Sequence, residues 1–529
     1  MKRRDFSTLA IALLGVVVGV LLAVTVGKIR SARTIRVSDA GWQKLNLVLR
    51  TVSEEYVDSV DYKKLTEAVL PEALANLDPH SVYLPPVELK ESETELSGNF
   101  EGIGIQFNVP NDTAIVLEVI PGGPAEKAGM LQGDRILKVD ETVIAGVKFP
   151  QDSMVRRMKG PSGTKVVITA LREGVEIPFE IRRDKIPVHS IDAAFMVDDT
   201  TGYIRLSKFA KNTAKEFVEA SGDLLSKGMR YLIFDLRDNS GGYLDQALIL
   251  SKIFLEKGQT IVYTEGLHSP REDYTADGSG YMKRTRLSVL INEGSASSSE
   301  IFAGAIQDND RGLIIGRRSF GKGLVQKPYM FSDGSGMRLT VARFHTPSGR
   351  CIQKPYGDDY QYDIYKRYAG GEMYDADSIK VNKAEEFLTV GGRKVYGGGG
   401  IVPDVFVPVD TTKVTDYYMK VRGKATAMRF ASWYFDTHKA ELSGIDNFNT
   451  LVRYLDGAGL DASFRQFAAS RDALVPASEQ EWTQTAPYLM TQVRALVGRY
   501  SKLGDQAFYH LYFDYDNVIE EALKPHSLD

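Results

Sequence analysis

The chain has 529 residues, 43% hydrophobic and 25% charged, a balance that fits folded domains and excludes wholesale disorder or a many-span membrane protein. At roughly 150 residues per domain, its length corresponds to three or four domains, each able to bury its own core. A net charge of −4 offers nucleic acid no basic surplus, the single Cys351 excludes a disulfide framework or a cysteine-rich zinc site, and seven scattered histidines without a His-Glu-x-x-His run speak against a zinc peptidase.

Lys2, Arg3 and Arg4 precede an apolar run, 6–26, whose polar members are Ser7, Thr8 and Thr25. From Leu9 to Val26 it would make about 27 Å of helix at roughly 1.5 Å per residue, nearly a hydrocarbon thickness. A secretory h-region is usually shorter and ends in a small-x-small site, whereas Arg30 stands where a small residue is needed. The reading is an uncleaved signal anchor over 1–27, with Thr25-Val26-Gly27 leaving a cleaved signal peptide open. The basic tip favours a cytoplasmic N-terminus, blunted by Lys28, Arg30, Arg33 and Arg36 beyond the run. The bulk of the chain is then expected outside the cytoplasm.

Residues 38–97 read as helical, with Leu45, Val48, Val52, Leu65, Val69 and Leu74 on helix-compatible spacing and a break at Leu77-Asp78-Pro79-His80. Over 98–186 short alternating strands such as 114–120 and 165–171 are divided by Gly/Pro turns. That segment holds Pro121-Gly122-Gly123-Pro124-Ala125-Glu126-Lys127-Ala128-Gly129-Met130, then Gly133-Asp134-Arg135-Ile136, and it resembles a PDZ domain. Gly102, Ile103, Gly104 and Ile105 stand where the resemblance places a carboxylate-binding loop. Glycines there let backbone N–H groups converge on an anion, and a strand edge can then accept an extended peptide.

From 187 to 409 buried-strand runs at 231–236, 287–291, 313–315 and 337–344 alternate with helical stretches, the rhythm of an α/β layer. Residues 355–400 are rich in Tyr, Asp and Gly and read as a long irregular insertion. The remainder, 410–529, reads as helical with aromatic anchors such as Trp433 and Trp482.

Three loops in the α/β layer carry chemistry. Asp235-Leu236-Arg237-Asp238-Asn239-Ser240-Gly241-Gly242 ends a strand in a glycine turn whose N–H groups suit an anion, although any tight strand-to-helix turn has this composition. Asn292-Glu293-Gly294-Ser295-Ala296-Ser297-Ser298-Ser299-Glu300 is a capping box at Ser297-x-x-Glu300, or a nucleophile on a strand-to-helix turn. Ser319-Phe320-Gly321-Lys322-Gly323-Leu324-Val325-Gln326 imitates a phosphate-binding P-loop from Gly316. Gly323 supplies no hydroxyl for Mg²⁺, however, and Pro328 arrives too soon for the helix such a loop requires. The alternative is a lysine in a desolvated pocket acting as a base. No Gly-x-Ser-x-Gly elbow is present, and neither His268 nor His345 lies in a motif marking a base. A Ser–Lys dyad needs no histidine.

In this order and spacing, the three loops behind a PDZ-like module resemble the C-terminal processing peptidases, tail-specific serine peptidases, over about residues 45–409. The ensemble, with Gly397-Gly398-Gly399-Gly400-Ile401-Val402-Pro403-Asp404, is most similar to the branch found in Bacteroides-type bacteria. The resemblance implies an α+β multidomain chain: a β-rich PDZ module, an α/β ClpP/crotonase-like peptidase core, and helical N- and C-terminal segments. It implies Ser297 as nucleophile, Lys322 as general base, Gln326 as the residue orienting the lysine, and the backbone N–H groups of Gly242 and Ser298 as the oxyanion hole. Glu300 matches an acidic position in the motif that its capping role explains equally well. Ser298 stands where the family pattern has Ala and is a rival nucleophile. The resemblance further implies protein substrates held by their C-terminal tails and no metal or organic cofactor, while the apolar run and basic tip lead to the expectation of an inner-membrane anchor with the catalytic part facing the periplasm. No nucleic-acid partner is expected, and a homodimer through the terminal helices is the expectation for assembly. The competing reading is a non-catalytic PDZ scaffold that binds protein C-termini.

Overall fold

The computed structural model of the chain describes residues 41–96, 98–357, 359–513 and 515–526, so the apolar run 6–26 lies outside the described residues. Among the described residues no helix is long and apolar enough to cross a membrane. The chain divides into two compact units, 1–76 and 77–529. Within the described part of the first, helices Gly41–Glu55 and Tyr62–Ala75 are joined by a hydrogen bond from Tyr62 Oη to Asn46 Oδ1 at 3.3 Å. Asp61 caps the second helix by accepting from the N–H groups of Lys63 and Lys64.

The second unit begins with a correction to the helical reading of 38–97. Val82–Leu84 is a strand that pairs antiparallel with Gly336–His345 before the helix Pro86–Leu96 begins. Pro85 and Pro86 exclude a helix running through this point, and Val82 and Tyr83 favour a pleated surface.

Between residues 105 and 182 a six-stranded antiparallel sheet runs in the order Ile105–Asn108, Ala114–Val119, Arg135–Val139, Lys165–Arg172, Val175–Arg182, with the short strand Thr142–Val143 also paired to Arg135–Val139. Alternate side chains point inward, Val166, Ile168 and Ala170 among them, and meet Ile136, Ile181 and the helix residues Met154 and Met158. Ile105–Asn108 is an edge strand in this sheet, ladder-paired on one side.

The second half carries a six-stranded sheet in the order Ile191–Met196, Thr201–Leu206, Tyr231–Asp235, Arg286–Ile291, Leu313–Gly316, Val405–Phe406. The first pair is antiparallel and every later pair parallel. Tyr231–Asp235 is buried at every position because both faces are covered, which is why it reads in sequence as an unbroken apolar run. On one face Phe217, Phe234, Phe254 and Phe302 meet edge to face at 5.2–5.9 Å, joining the helices Thr213–Ser226, Leu244–Phe254 and Ser298–Asp308 to the sheet. On the other, Phe513, Val518, Ile519 and Ala522 from the C-terminal end pack on Phe195, Tyr203 and Tyr231. A further sheet, unforeseen in its hairpin Thr260–Gly266/Ser269–Thr275, joins Leu324–Met330 and Gly336–His345.

The insertion 355–400 is not structureless: it holds the helix Asp363–Ala369 and a hairpin, Glu386–Leu388 with Lys394–Tyr396. Beyond 410 the described chain is helical around Phe430, Phe435, Phe464, Leu489 and Val493. Leu117, from the antiparallel sheet, is buried in that same helical core. Gly133 lies so close to Phe435 that a Cβ would come within 2.5 Å of its ring, and Arg135 pairs with Asp436 beside it.

His510 stacks between Phe448 and Phe195, with ring centroids 3.5 and 3.9 Å away. Burial pushes its pKa down to about 4. The unfolded chain, with histidine near 6.5, therefore takes up this proton first as pH falls. The stability that neutral His510 contributes is complete above about 6.5 and is lost as pH falls toward 4. Thermal midpoints measured between pH 7.5 and 4.5 should fall less steeply for His510→Phe than for the parent; equal slopes would refute this account.

Candidate active site

The three sequence loops leave adjacent parallel strands at their C-terminal ends, where open α/β sheets gather ligand-facing groups. Buried polar residues hold them, Asp235 and Asn239 at the first and Glu300 between the second and third.

In the first loop, Asp235 is fully buried and receives Arg237, Arg205 and the Tyr203 hydroxyl. Burial opposes its charge, but the two guanidinium groups prevail and hold the carboxyl well below the usual carboxylate range. Asn239, also buried, accepts from Gly241 N–H and donates to Leu206 O, both at 2.9 Å. Its own carbonyl accepts from Ala296 N–H at 3.0 Å and from Ser299 Oγ at 2.8 Å, which ties the first loop to the second. Gly241 (φ +99°) is required by this closeness, because a Cβ would stand 2.7 Å from Ala296 O, 2.8 Å from Ser297 Cβ and 2.9 Å from Ser298 N.

In the second loop Ser297 is the N-cap of Ser298–Asp308, with φ +54° and ψ −113°. A non-glycine residue held there costs on the order of 1–3 kcal/mol, so the surroundings must impose it. Neighbouring hydroxyls are engaged: Ser298 Oγ donates to Gly242 O at 2.9 Å and Ser299 Oγ to Asn239 O. Ser298 is only 1% exposed, whereas Ser297 is half-buried. Among the described residues no protein group accepts from the N–H of Gly242 or of Ser298. The Ser298–Gly242 bond keeps those two donors' residues side by side.

Glu300 joins the second loop to the third. Its carboxylate, fully buried, accepts from Ser297 N–H at 2.8 Å and Lys322 N–H at 2.9 Å through one oxygen. The other oxygen is bonded to Gly321 N–H at 2.7 Å and Ser319 Oγ at 2.5 Å. Burial pushes its pKa up, and these four contacts work against that. Lys322 is half-buried; burial pushes its ammonium down from the usual lysine range, helped by Arg338 and opposed by Glu300 and Asp78.

Gln326 donates through its amide nitrogen to the carbonyl of His80 at 2.6 Å. The end a lysine ammonium would need is its carbonyl oxygen. This contact brings in a turn that the sequence reading treated only as a helix break. Asp78 accepts from His80 N–H at 2.7 Å, Ser81 N–H at 2.8 Å and Ser81 Oγ at 2.6 Å, an Asx turn that Asp-Pro-x-Ser could have signalled. The His80 ring meets Tyr360 Oη at 2.6 Å; burial and the Lys322 charge lower its pKa to about 4.

The glycine loop of the antiparallel sheet is tied within its own segment. Ile103 O accepts from Ala125 N–H at 2.8 Å and Gly104 O from Ile120 N–H at 3.0 Å, so both carbonyls are engaged within the domain. Gly102 closes a short strand with Asp184, and Ile105 opens the edge strand. A cleft of about 640 Å³ beside it is lined by Ile105, Ile120 and Pro121 together with Lys502 and Asp505. Among the described residues no cluster of His, Cys, Asp and Glu is arranged to hold a metal ion.

Glu300→Gln should show how much rests on that carboxylate. An amide presents an NH₂ where donors now point and leaves buried N–H groups unmet, at about 1–3 kcal/mol for each. Denaturant unfolding should show a loss in that range or above; an unchanged midpoint would mean that the loops hold together without it.

Comparison with known proteins agrees with this architecture. Residues 200–364 match peptidase family S41 and residues 102–182 match the PDZ domain. The carboxy-terminal-processing protease of Bartonella bacilliformis is 35% identical over 394 residues, covering 72% of this chain and 88% of the relative. The carboxy-terminal processing protease CtpA of Bacillus subtilis is 34% identical over 318 residues, 60% of this chain and 67% of the relative. Among solved structures, the photosystem II D1 C-terminal processing protease is 27% identical, covers 70% of this chain and 94% of its own, and has a TM-score of 0.36. The chain belongs to peptidase family S41, as a carboxy-terminal-processing serine protease that carries a PDZ domain.

Proposed function

We propose that Ser297 and Lys322 form the catalytic dyad of a serine endopeptidase that cuts protein substrates near their C-terminal tails. The observation that carries this reading is the Glu300 carboxylate, which bonds Ser297 N–H and Lys322 N–H through a single oxygen. Neutral Lys322 takes the Ser297 proton as Oγ attacks the scissile carbonyl, and the oxyanion forms against the N–H groups of Gly242 and Ser298. The lysine then gives that proton to the departing amine. Water, losing a proton to Lys322, attacks the acyl-enzyme, and Lys322 returns that proton to Ser297 Oγ as the acid leaves. Gln326, braced on the 78–81 turn, orients the lysine. Gly102, Ile103, Gly104 and Ile105 receive the tail, with the edge strand Ile105–Asn108 accepting it by β-addition and tail binding gating the catalytic loops.

We further propose that 6–26 anchors the chain in the bacterial inner membrane with the catalytic part facing the periplasm; fractionation with N-terminal sequencing of the mature chain separates an anchor from a cleaved signal. The homodimer expectation is decided by light scattering of a soluble chain starting near Ser38.

Cleavage of apolar-ended peptides by that chain should fall at least ~10³-fold in Ser297→Ala and Lys322→Ala and persist in Ser298→Ala. C-terminal amidation should weaken cleavage of the same peptides. Tail binding without turnover in every variant would favour the scaffold reading.

Because Lys322 must be neutral and its pKa is lowered, kcat/KM should rise with pH along a limb below the usual lysine value of about 10.4. An acid optimum would contradict a lysine base. Gly241→Ala should lose activity by roughly 10²-fold, as an oxyanion turn pushed off the serine would, while tail affinity stays unchanged.

A further inference from the structure

The insertion 355–400 has no part in the reaction as written, yet its buried charges end on the loop that carries Lys322. Arg367, from the short helix Asp363–Ala369, is only 5% exposed. It donates to Ser319 O at 3.1 Å and to Arg318 O at 2.6 Å. Its Nε is held at 2.8 Å by Glu372, itself 5% exposed, and Glu372 also takes a two-pronged contact from Arg318 at 2.7 and 2.6 Å. Arg318 closes the set by donating to Gly399 O at 2.8 Å.

Other backbone groups of the lysine loop are engaged as well. Ser319 N–H bonds Ile401 O, Phe320 N–H bonds Ser295 O, Gly321 O accepts from Lys354 N–H, and Gly323 N–H meets Gln353 Oε1. With Gly321 and Lys322 N–H on Glu300, among the described residues only Arg367 reaches the carbonyl side of residues 318 and 319 through a side chain. A planar fork fixes two successive carbonyls in a way that a flexible ammonium cannot.

We propose that Arg367, held by Glu372, is a positioning residue for Lys322: the insertion clamps the lysine loop from its carbonyl side while Glu300 clamps it from its N–H side. The proposal rests on Lys322 acting as the base. The charged and titratable groups that act on Lys322 are Glu300 from the nucleophile helix, Arg338 from the strand Gly336–His345, and Asp78 from the turn, where His80 in turn feels the lysine. Arg367 is not among them, so its removal reaches the lysine through geometry. A loosened loop admits water, and a better solvated ammonium has a higher pKa.

The test uses the soluble chain, a cleavable tail peptide, and Arg367→Met and Arg367→Lys. Arg367→Met should lower kcat by about tenfold with KM within about twofold, since misplacement of a catalytic group by less than an ångström is enough. The limb of the pH profile should move to higher pH by about half a unit, with Arg367→Lys between it and the parent. In the parent, hydrogen exchange at Gly321 and Lys322 should be slow, and in Arg367→Met faster. Variants that keep the limb in place and lose kcat only in proportion to folded protein would reduce Arg367 to a structural role and overturn the proposal. Exchange at those two amides in the parent as fast as in an open loop would overturn it even if neither variant folded. Lys322→Ala, assayed beside them, separates the readings: retained activity there would remove lysine as base, while the exchange result still decides whether the clamp exists.

Discussion

One buried carboxylate sets the distance between the serine loop and the lysine loop. Glu300 begins as an ordinary helix-capping residue, but its two oxygens also collect Ser319, Gly321 and Lys322 from a loop that starts nineteen residues further on. Four donors converging on one fully buried group work against a desolvation cost that still holds its pKa up. Neither loop can drift without leaving a buried N–H unmet. The strained backbone of Ser297 is sustained by the same arrangement, with its N–H on Glu300 and Gly241 pressed against its other side.

Around that centre the chain uses a repeated device: a buried acid or amide from one segment satisfies the backbone of another. The Asn239 amide does so for Leu206 O and Gly241 N–H, Asp78 for the turn that Gln326 reaches, and Glu372 indirectly through Arg367. Asp235 serves the same end by fixing Arg237, which also reaches Asp516 at the start of the C-terminal helix Asn517–Leu523. The parallel sheet supplies the rigid platform, and these polar ties set the loops upon it. Such ties are sensitive to partial loss, because a half-satisfied buried network is worse than an apolar one.

Much of this was legible in the sequence. The central strands announced themselves as buried apolar runs, and Ser297-x-x-Glu300 could be read as a cap. That Glu300 serves a second loop could not be read, because the contact depends on how two neighbouring strands deliver their loops rather than on local spacing. The hairpin Thr260–Gly266/Ser269–Thr275 escaped notice because its second strand is largely exposed and charged and lacks alternation. Val82–Leu84 is too short to show a period, and its pairing partner lies some 250 residues away in sequence. Arg367 was hidden by its neighbours, since a Tyr-, Asp- and Gly-rich stretch resembles a solvated loop until its inward-facing cation is seen.

The packing of Leu117, Gly133 and Arg135 against the C-terminal helices has a consequence for how this molecule can change over time. A PDZ domain is commonly treated as an interchangeable cassette, but here one of its strands contributes a side chain to another region's core. At residue 133 there is no room for a side chain while Phe435 keeps its place. Substitutions on the two surfaces must therefore arise in matched pairs. A chimaera that exchanges the peptide-binding module would have to bring along the aromatic and acidic residues at 435 and 436, or accept a hole and an unpaired arginine at the seam.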